Sequence, residues 1–153
     1  MNATDTLAAV KSSLGNVPHV DQPDPRAPRQ NRPWGNWTVL TEGNGFKVKQ
    51  LEMQPGHRMS LQYHYHRSEH WVVVAGKARI VIGEKCYDMH MMQSVLIPAR
   101  TIHRIENPYT DLLQIVEVQR GDRLDEDDIV RLEDDYLDLH LPFNRKSALH
   151  RGF

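Results

Sequence analysis

Gln62-Tyr63-His64-Tyr65-His66-Arg67-Ser68-Glu69-His70, running on into Trp71-Val72-Val73-Val74-Ala75-Gly76, is the stretch whose reading decides the fold. On a β-strand, residues two apart share a face, so Gln62, His64 and His66 are expected to project the same way. Two imidazoles on one face can chelate a single metal ion, and neutral imidazole suits zinc, iron, nickel and copper. Glu69 can return on the following strand and add an anionic oxygen. The Val72-Val73-Val74 run fits a strand buried on both faces.

The flanking sequence has the same β character. Short stretches rich in Val, Ile, Leu, Thr and Tyr are expected as strands at 37–41, 46–53, 60–66, 69–75, 77–82, 94–97, 102–106 and 112–118. Turn signals divide them, among them Pro55-Gly56, Ala75-Gly76-Lys77 and Asn107-Pro108. Many short strands without intervening helices predict an all-β sandwich or barrel.

The ends differ in character. Residues 1–31 read as an extension: a short helix over 4–14, then an arm with Pro18, Pro23, Pro25 and Pro28. Residues 122–138 are dense in acid, with Leu124, Ile129, Val130 and Leu132 interleaved, and predict a short amphipathic helical segment on the barrel with a solvated acidic face. Residues 139–153 read as a tail. The length of 153 residues fits one domain with loose ends better than two, and the domain is expected over 32–138.

With 19 basic and 20 acidic residues the charge is balanced, which gives no electrostatic case for a nucleic-acid or membrane partner. No apolar run is long enough to cross a bilayer. The N-terminus lacks the apolar core of a signal peptide, so a cytoplasmic location is the expectation. The single cysteine, Cys86, cannot form an internal disulfide and reads as a small packed thiol.

A second segment, Pro98-Ala99-Arg100-Thr101-Ile102-His103-Arg104-Ile105-Glu106-Asn107, sets a lone histidine in an apolar strand. Burying His103 is costly unless both ring nitrogens find partners, and a metal on one with a hydrogen bond on the other meets that need.

The two segments resemble the paired motifs of the cupin superfamily, whose fold is a double-stranded β-helix. The first follows Gly, spacer, His-x-His, spacer, Glu, six residues, Gly, with Glu69 and Gly76 at the family's spacing. Seven residues separate Gly56 from His64 rather than five, and two separate His66 from Glu69, one fewer than usual. The second follows Pro-x-Gly-x-x-His-x-x-x-Asn through Pro98, His103 and Asn107, with Arg100 where glycine is usual. The resemblance implies His64, His66, Glu69 and His103 as ligands of one divalent metal ion: zinc first, with manganese, cobalt, iron or nickel also suited. It also implies a homodimer exchanging N-terminal arms.

A longer resemblance covers residues 32–138. Its landmarks include Arg32-Pro33-Trp34-Gly35, Ser60-Leu61-Gln62, His70-Trp71-Val72-Val73-Val74-Ala75-Gly76, Glu117-Val118-Gln119-Arg120-Gly121 and Glu126-Asp127-Asp128-Ile129-Val130-Arg131. The chain is similar here to the C-terminal cupin domain of type II phosphomannose isomerases, which usually follows a mannose-1-phosphate guanylyltransferase. No Gly-rich phosphate loop precedes it in this sequence, so guanylyltransferase activity is not expected. Where the family usually ends Tyr-Gly-Arg, this chain has Tyr136-Leu137-Asp138.

The resemblance implies interconversion of mannose 6-phosphate and fructose 6-phosphate by proton transfer between C1 and C2 through an enediolate. For the proton shuttle the candidates are Lys49, where burial would favour the neutral amine, and His70, which alternation from Glu69 turns off the metal face. Arg67, Arg104, Arg131 and Lys47 are candidates for the phosphate. Gln62 could bind metal or a sugar hydroxyl. Glu106 is a further carboxylate candidate for the shuttle, with a simple pair to Arg104 as the alternative. Trp34, Trp37 and Trp71 read as core aromatics that could also stack on a sugar. Alternatives are another cupin enzyme, such as a sugar epimerase or iron dioxygenase, or a non-catalytic sugar-binding cupin.

Overall fold

Alternation along three adjacent strands organises the molecule, which is a computed structural model describing residues 28–137. Strand β11 (Leu113–Gly121) lies between β3 (Phe46–Met53) and β6 (Arg67–Ala75), antiparallel to both. Its inward residues are Leu113, Ile115, Glu117 and Gln119, all buried. The column on β3 runs Met53, Leu51, Lys49, and that on β6 runs Val73, Trp71, Glu69, Arg67. In β3 and β11 the change from apolar to polar falls at the same level, where Glu117 pairs with Lys49, and in β6 it falls one inward residue later, since Glu117 pairs with Trp71 and Gln119 with Glu69. One end of the barrel is therefore hydrophobic core and the other a polar interior, which is costly unless its groups are paired.

The other strands are β1 (Gln30–Arg32), β2 (Gly35–Gly43), β4 (His57–Arg58), β5 (Leu61–His64), β7 (Lys77–Ile82), β8 (Lys85–His90), β9 (Ser94–Ile97), β10 (His103–Asn107) and β12 (Ile129–Glu133). They form two sheets, β1-β2-β3-β11-β6-β9 and β12-β5-β10-β7-β8, with β4 joined to β10. This is the all-β double-stranded β-helix expected. In the second sheet Ile105 and Ile80 face the core, and His103 continues the polar end. Asn107 closes the second motif by donating to the carbonyls of Met53 (3.0 Å) and Asp111 (2.9 Å).

Several expectations need correction. The strand expected over 60–66 ends at His64, and residues 65–66 form a bend. The acidic segment is not an amphipathic helix: a single 3-10 turn, Glu126–Asp128, leads into β12, which pairs with β5. Strand β8 was not expected, because its edge position leaves Lys85, Cys86, Tyr87 and Asp88 exposed and removes the apolar alternation. Cys86 is thus exposed rather than packed. In the valine run only Val73 is buried, with Val72 and Val74 half-buried on the outer face. Within the arm, Gln30 and Asn31 pair with β2. The helix expected over 4–14 and the tail over 139–153 lie outside the described residues. Among the described residues no helix is long and apolar enough to cross a membrane.

Candidate metal centre

At the polar end, His64 (end of β5), Glu69 (β6) and His103 (start of β10) converge, with one potential ligand atom of each within 4.8 Å of the others. His64 Nε2 lies 3.1 Å from Glu69 Oε1, and His103 Nε2 lies 3.6 Å from Glu69 Oε2. All three side chains are at most 2% exposed. The ring roles follow from the bonds on the far nitrogens. His103 Nδ1 donates to the Thr101 carbonyl at 2.7 Å, and His64 Nδ1 donates to the Asp128 carbonyl at 3.4 Å. Each ring then turns a lone pair toward a carboxylate. His103 Nε2 is buried with no hydrogen-bond partner. Arg67 reaches two of these acceptors, with Nε 3.0 Å from Glu69 Oε1 and Nη2 3.5 Å from His64 Nε2, but no donor meets His103 Nε2, so the three residues fit a divalent metal that would satisfy all of them. Two imidazoles and a carboxylate suit zinc, whose catalytic sites keep a further position open.

Electrostatics agree with the geometry. Burial opposes ionisation of Glu69, but a hydrogen bond from His64 and positive charge on His64, His103 and Arg67 outweigh it and hold the carboxyl at about 2; with the rings neutral, Arg67 and a bound cation would supply that pull. Burial lowers the His103 pKa, which keeps its ring neutral and able to ligate. Arg67 Nε donates to Glu69 Oε1 at 3.0 Å. The Trp71 indole donates to Glu69 Oε2 (3.2 Å) and to Glu117 Oε2 (3.1 Å). Burial, followed by the charge of Glu69, pushes Glu117 up to about 8.

His66 does not join the other three. Because β5 ends at His64, the bend turns the His66 ring outward, where it is 44% exposed and donates from Nδ1 to Asp128 at 2.7 Å. Gln62 is the neighbour that shares the interior with His64: it is buried and sits opposite His103 in the β5–β10 register. Counting from Gln62 also removes one irregularity of spacing, since five residues separate Gly56 from Gln62.

A cavity of about 380 Å³ reaches Glu69, with Gln62, Arg67, Glu117 and Gln119 among its lining residues. Lys49 faces it, but its ammonium is engaged by Glu126 at 2.8 Å and lies 4.1 Å from the Trp37 ring centroid. Arg131 lines the wall, 3.7 Å from Asp134. Trp34 and Trp37 also line it, whereas Trp71 is core.

The remaining candidates lie elsewhere. His70 is exposed on the outer face of β6, as the alternation required. Arg104 faces outward from β10 and pairs with Glu106 (2.9 Å) and Glu133 (3.0 Å), which fixes Glu106 in a structural pair as well. Lys47 pairs with Glu42 at 3.4 Å and does not line the cavity. The sequence reading missed Glu117, Gln119, Glu126 and Asp128. A signal was present for the first two: the inward series Leu113, Ile115, Glu117, Gln119 turns polar midway through a strand.

A double-stranded β-helix with a buried His–Glu–His cluster defines a cupin. Comparison with known proteins narrows the class. The profile described as mannose-6-phosphate isomerase C-terminal matches residues 26–134, and the chain belongs to that family. Alginate biosynthesis protein AlgA of Pseudomonas aeruginosa is 47% identical over 105 residues, covering 69% of this chain and 22% of that protein. Mannose-1-phosphate guanylyltransferase RfbM of Salmonella typhimurium is 38% identical over 130 residues, covering 84% and 27%. The chain thus spans about a quarter of the length of these relatives. Oxalate decarboxylase of Bacillus subtilis is similar in structure (TM-score 0.63, 15% identity, 70% of this chain and 30% of that one). So is CapF of Staphylococcus aureus (TM-score 0.61, 19% identity, 70% and 34%). These two likenesses show the fold alone.

Proposed function

We propose that this protein is a metal-dependent aldose–ketose isomerase that interconverts mannose 6-phosphate and fructose 6-phosphate. The observation that carries the reading is the bare, buried lone pair of His103 beside Glu69, a residue that lines a cavity carrying Arg32, Lys49, Arg67 and Arg131. His64, Glu69 and His103 would hold the metal. Gln62, whose Oε1 accepts from Ser60 Oγ at 2.8 Å, would be the fourth donor in place of His66.

When bound, a divalent ion supplies a Lewis acid that stabilises negative charge developing on the sugar's C1 and C2 oxygens. The chain's own residues carry the rest. Glu69, ionised between the two rings, would help hold the ion in place. Arg67 steadies that carboxylate. A proton moving between C1 and C2 needs a nearby group that can hold it. Glu117, whose raised pKa of about 8 favours the protonated form near neutral pH, and Lys49 are the cavity residues we assign to that role. Arg131 and Arg32, which line the cavity, are the cations available to the phosphate; Arg67 is tied to Glu69, and Arg104 and Lys47 do not line the cavity. The activity named for the guanylyltransferase relatives is not carried over to this chain, which covers about a quarter of their length.

The test is turnover of mannose 6-phosphate to fructose 6-phosphate by metal-loaded protein. Conversion that His103→Ala abolishes supports the reading. No conversion with zinc, manganese, cobalt, nickel or ferrous iron refutes it.

A further inference from the structure

The two ligand-bearing strands, β5 with His64 and β6 with Glu69, are joined only by the bend at Tyr65–His66. The carboxylate of Asp128 is buried inside that bend, 3% exposed. It accepts from the Tyr65 amide (3.3 Å), the His66 amide (3.1 Å) and His66 Nδ1 (2.7 Å). The carbonyl of the same residue accepts from His64 Nδ1. Three residues earlier, the carbonyl of Asp125 accepts from the Arg67 guanidinium at 3.1 Å, whose Nε holds Glu69. The next residue in the chain, Ile129, pairs with His64 in the β12–β5 register. The acidic segment is thus a strap tied to both ligand strands.

We propose that Asp128 is a positioning residue for the metal centre. Its carboxylate fixes the bend that sets the His64–Glu69 separation, and its carbonyl selects the His64 tautomer that leaves Nε2 free to ligate. This rests on the metal reading above and gives His66 a role: it is the strap's anchor. The strap is assembled from hydrogen bonds that need no metal, so the centre is organised before the ion arrives. Outer partners of this kind typically change metal affinity about 10–100-fold.

The experiment uses the full chain and zinc, titrated against a chromophoric chelator, together with amide hydrogen exchange of metal-free protein at residues 65 and 66. Asp128→Ala is expected to weaken zinc binding about 10–100-fold and to speed exchange at both amides. Asp128→Asn, which keeps one carbonyl acceptor, should fall between it and the wild type. Asp127→Asn, which removes an equal charge from an exposed neighbour, should match the wild type in both readouts. Folded Asp128→Ala protein with wild-type zinc affinity overturns the inference while leaving the metal centre standing. If Asp128→Ala does not fold, Asp128→Asn decides, and wild-type affinity there overturns it equally. Failure of the wild type itself to bind zinc, manganese or iron would instead overturn the metal reading, and the inference with it.

Discussion

Glu69 and Glu117 share one donor: the Trp71 indole N–H lies 3.2 Å from a carboxylate oxygen of the first and 3.1 Å from one of the second. Two buried carboxyls so joined cannot both ionise cheaply, and they are driven apart, Glu69 to about 2 and Glu117 to about 8. A carboxyl with a lowered folded pKa contributes stability above its unfolded value, lost as pH falls through the folded one. A carboxyl with a raised pKa does the reverse. Glu117 favours the fold below its unfolded value, and that contribution is lost as pH rises toward about 8.

Metal-free Glu117→Gln should therefore gain on the wild type as pH rises. The gain per pH unit between about 5 and 8 has an upper bound of about 1.4 kcal/mol. Urea unfolding of chelator-treated protein at several pH values measures it. Stability curves that stay parallel for the two proteins would show that Glu117 does not titrate in the folded state over that range.

Ligand substitutions should fall in a definite order. His64→Ala and His103→Ala should each weaken zinc binding by more than about 100-fold, Gln62→Ala by less, and His66→Ala by no more than an outer partner does, about 10–100-fold. Chelator competition ranks them. A loss at His66 equal to that at His64 would restore the His-x-His pair as the ligating one.

Arg100 occupies the place where the second motif usually has glycine, and it takes a left-handed φ of 65° while its amide donates to the His64 carbonyl at 2.6 Å. A residue with a Cβ is disfavoured there by about 1–2 kcal/mol, partly offset by the extra chain freedom of an unfolded glycine. Arg100→Gly should leave stability unchanged or raise it by up to about 1 kcal/mol, read from thermal or urea unfolding. A clear destabilisation would mean that the Arg100 side chain contributes something the backbone conformation does not reveal.

Gly76 and Gly56 provide a controlled pair, with φ values of 76° and 78°. A Cβ on Gly76 would come 2.5 Å from the Leu112 carbonyl oxygen, a backbone atom, whereas one on Gly56 meets nothing within 4 Å. Alanine at either site bears the same backbone strain, so the difference measures the clash alone. Gly76→Ala should be the more damaging by about 1–3 kcal/mol. Equal losses would show that strain at φ is the whole cost.

Most of the fold was legible because alternation survives wherever one strand face is buried. Strands β3, β6, β7, β9, β10 and β11 lie within a few residues of their expected positions for that reason. Strand β8 was hidden because four consecutive residues, Lys85 to Asp88, are exposed and leave no alternation to read, and β12 was masked by the acidic turn ahead of it. Within the site, His64, Glu69 and His103 could be read from two motifs. His66 misled because its two-residue spacing from His64 satisfies strand alternation, and only the end of β5 at His64 breaks it. Asp128 was illegible for a different reason: a buried carboxylate and a solvated one look alike in a run of acids.

The most direct test of the metal centre is anomalous diffraction from crystals grown with zinc. The expected result is one peak about 2.0–2.2 Å from His64 Nε2, His103 Nε2 and a Glu69 oxygen, the range for zinc bound to nitrogen and carboxylate. A peak at His66 and Asp128 instead, or no peak among the three buried side chains, would contradict it.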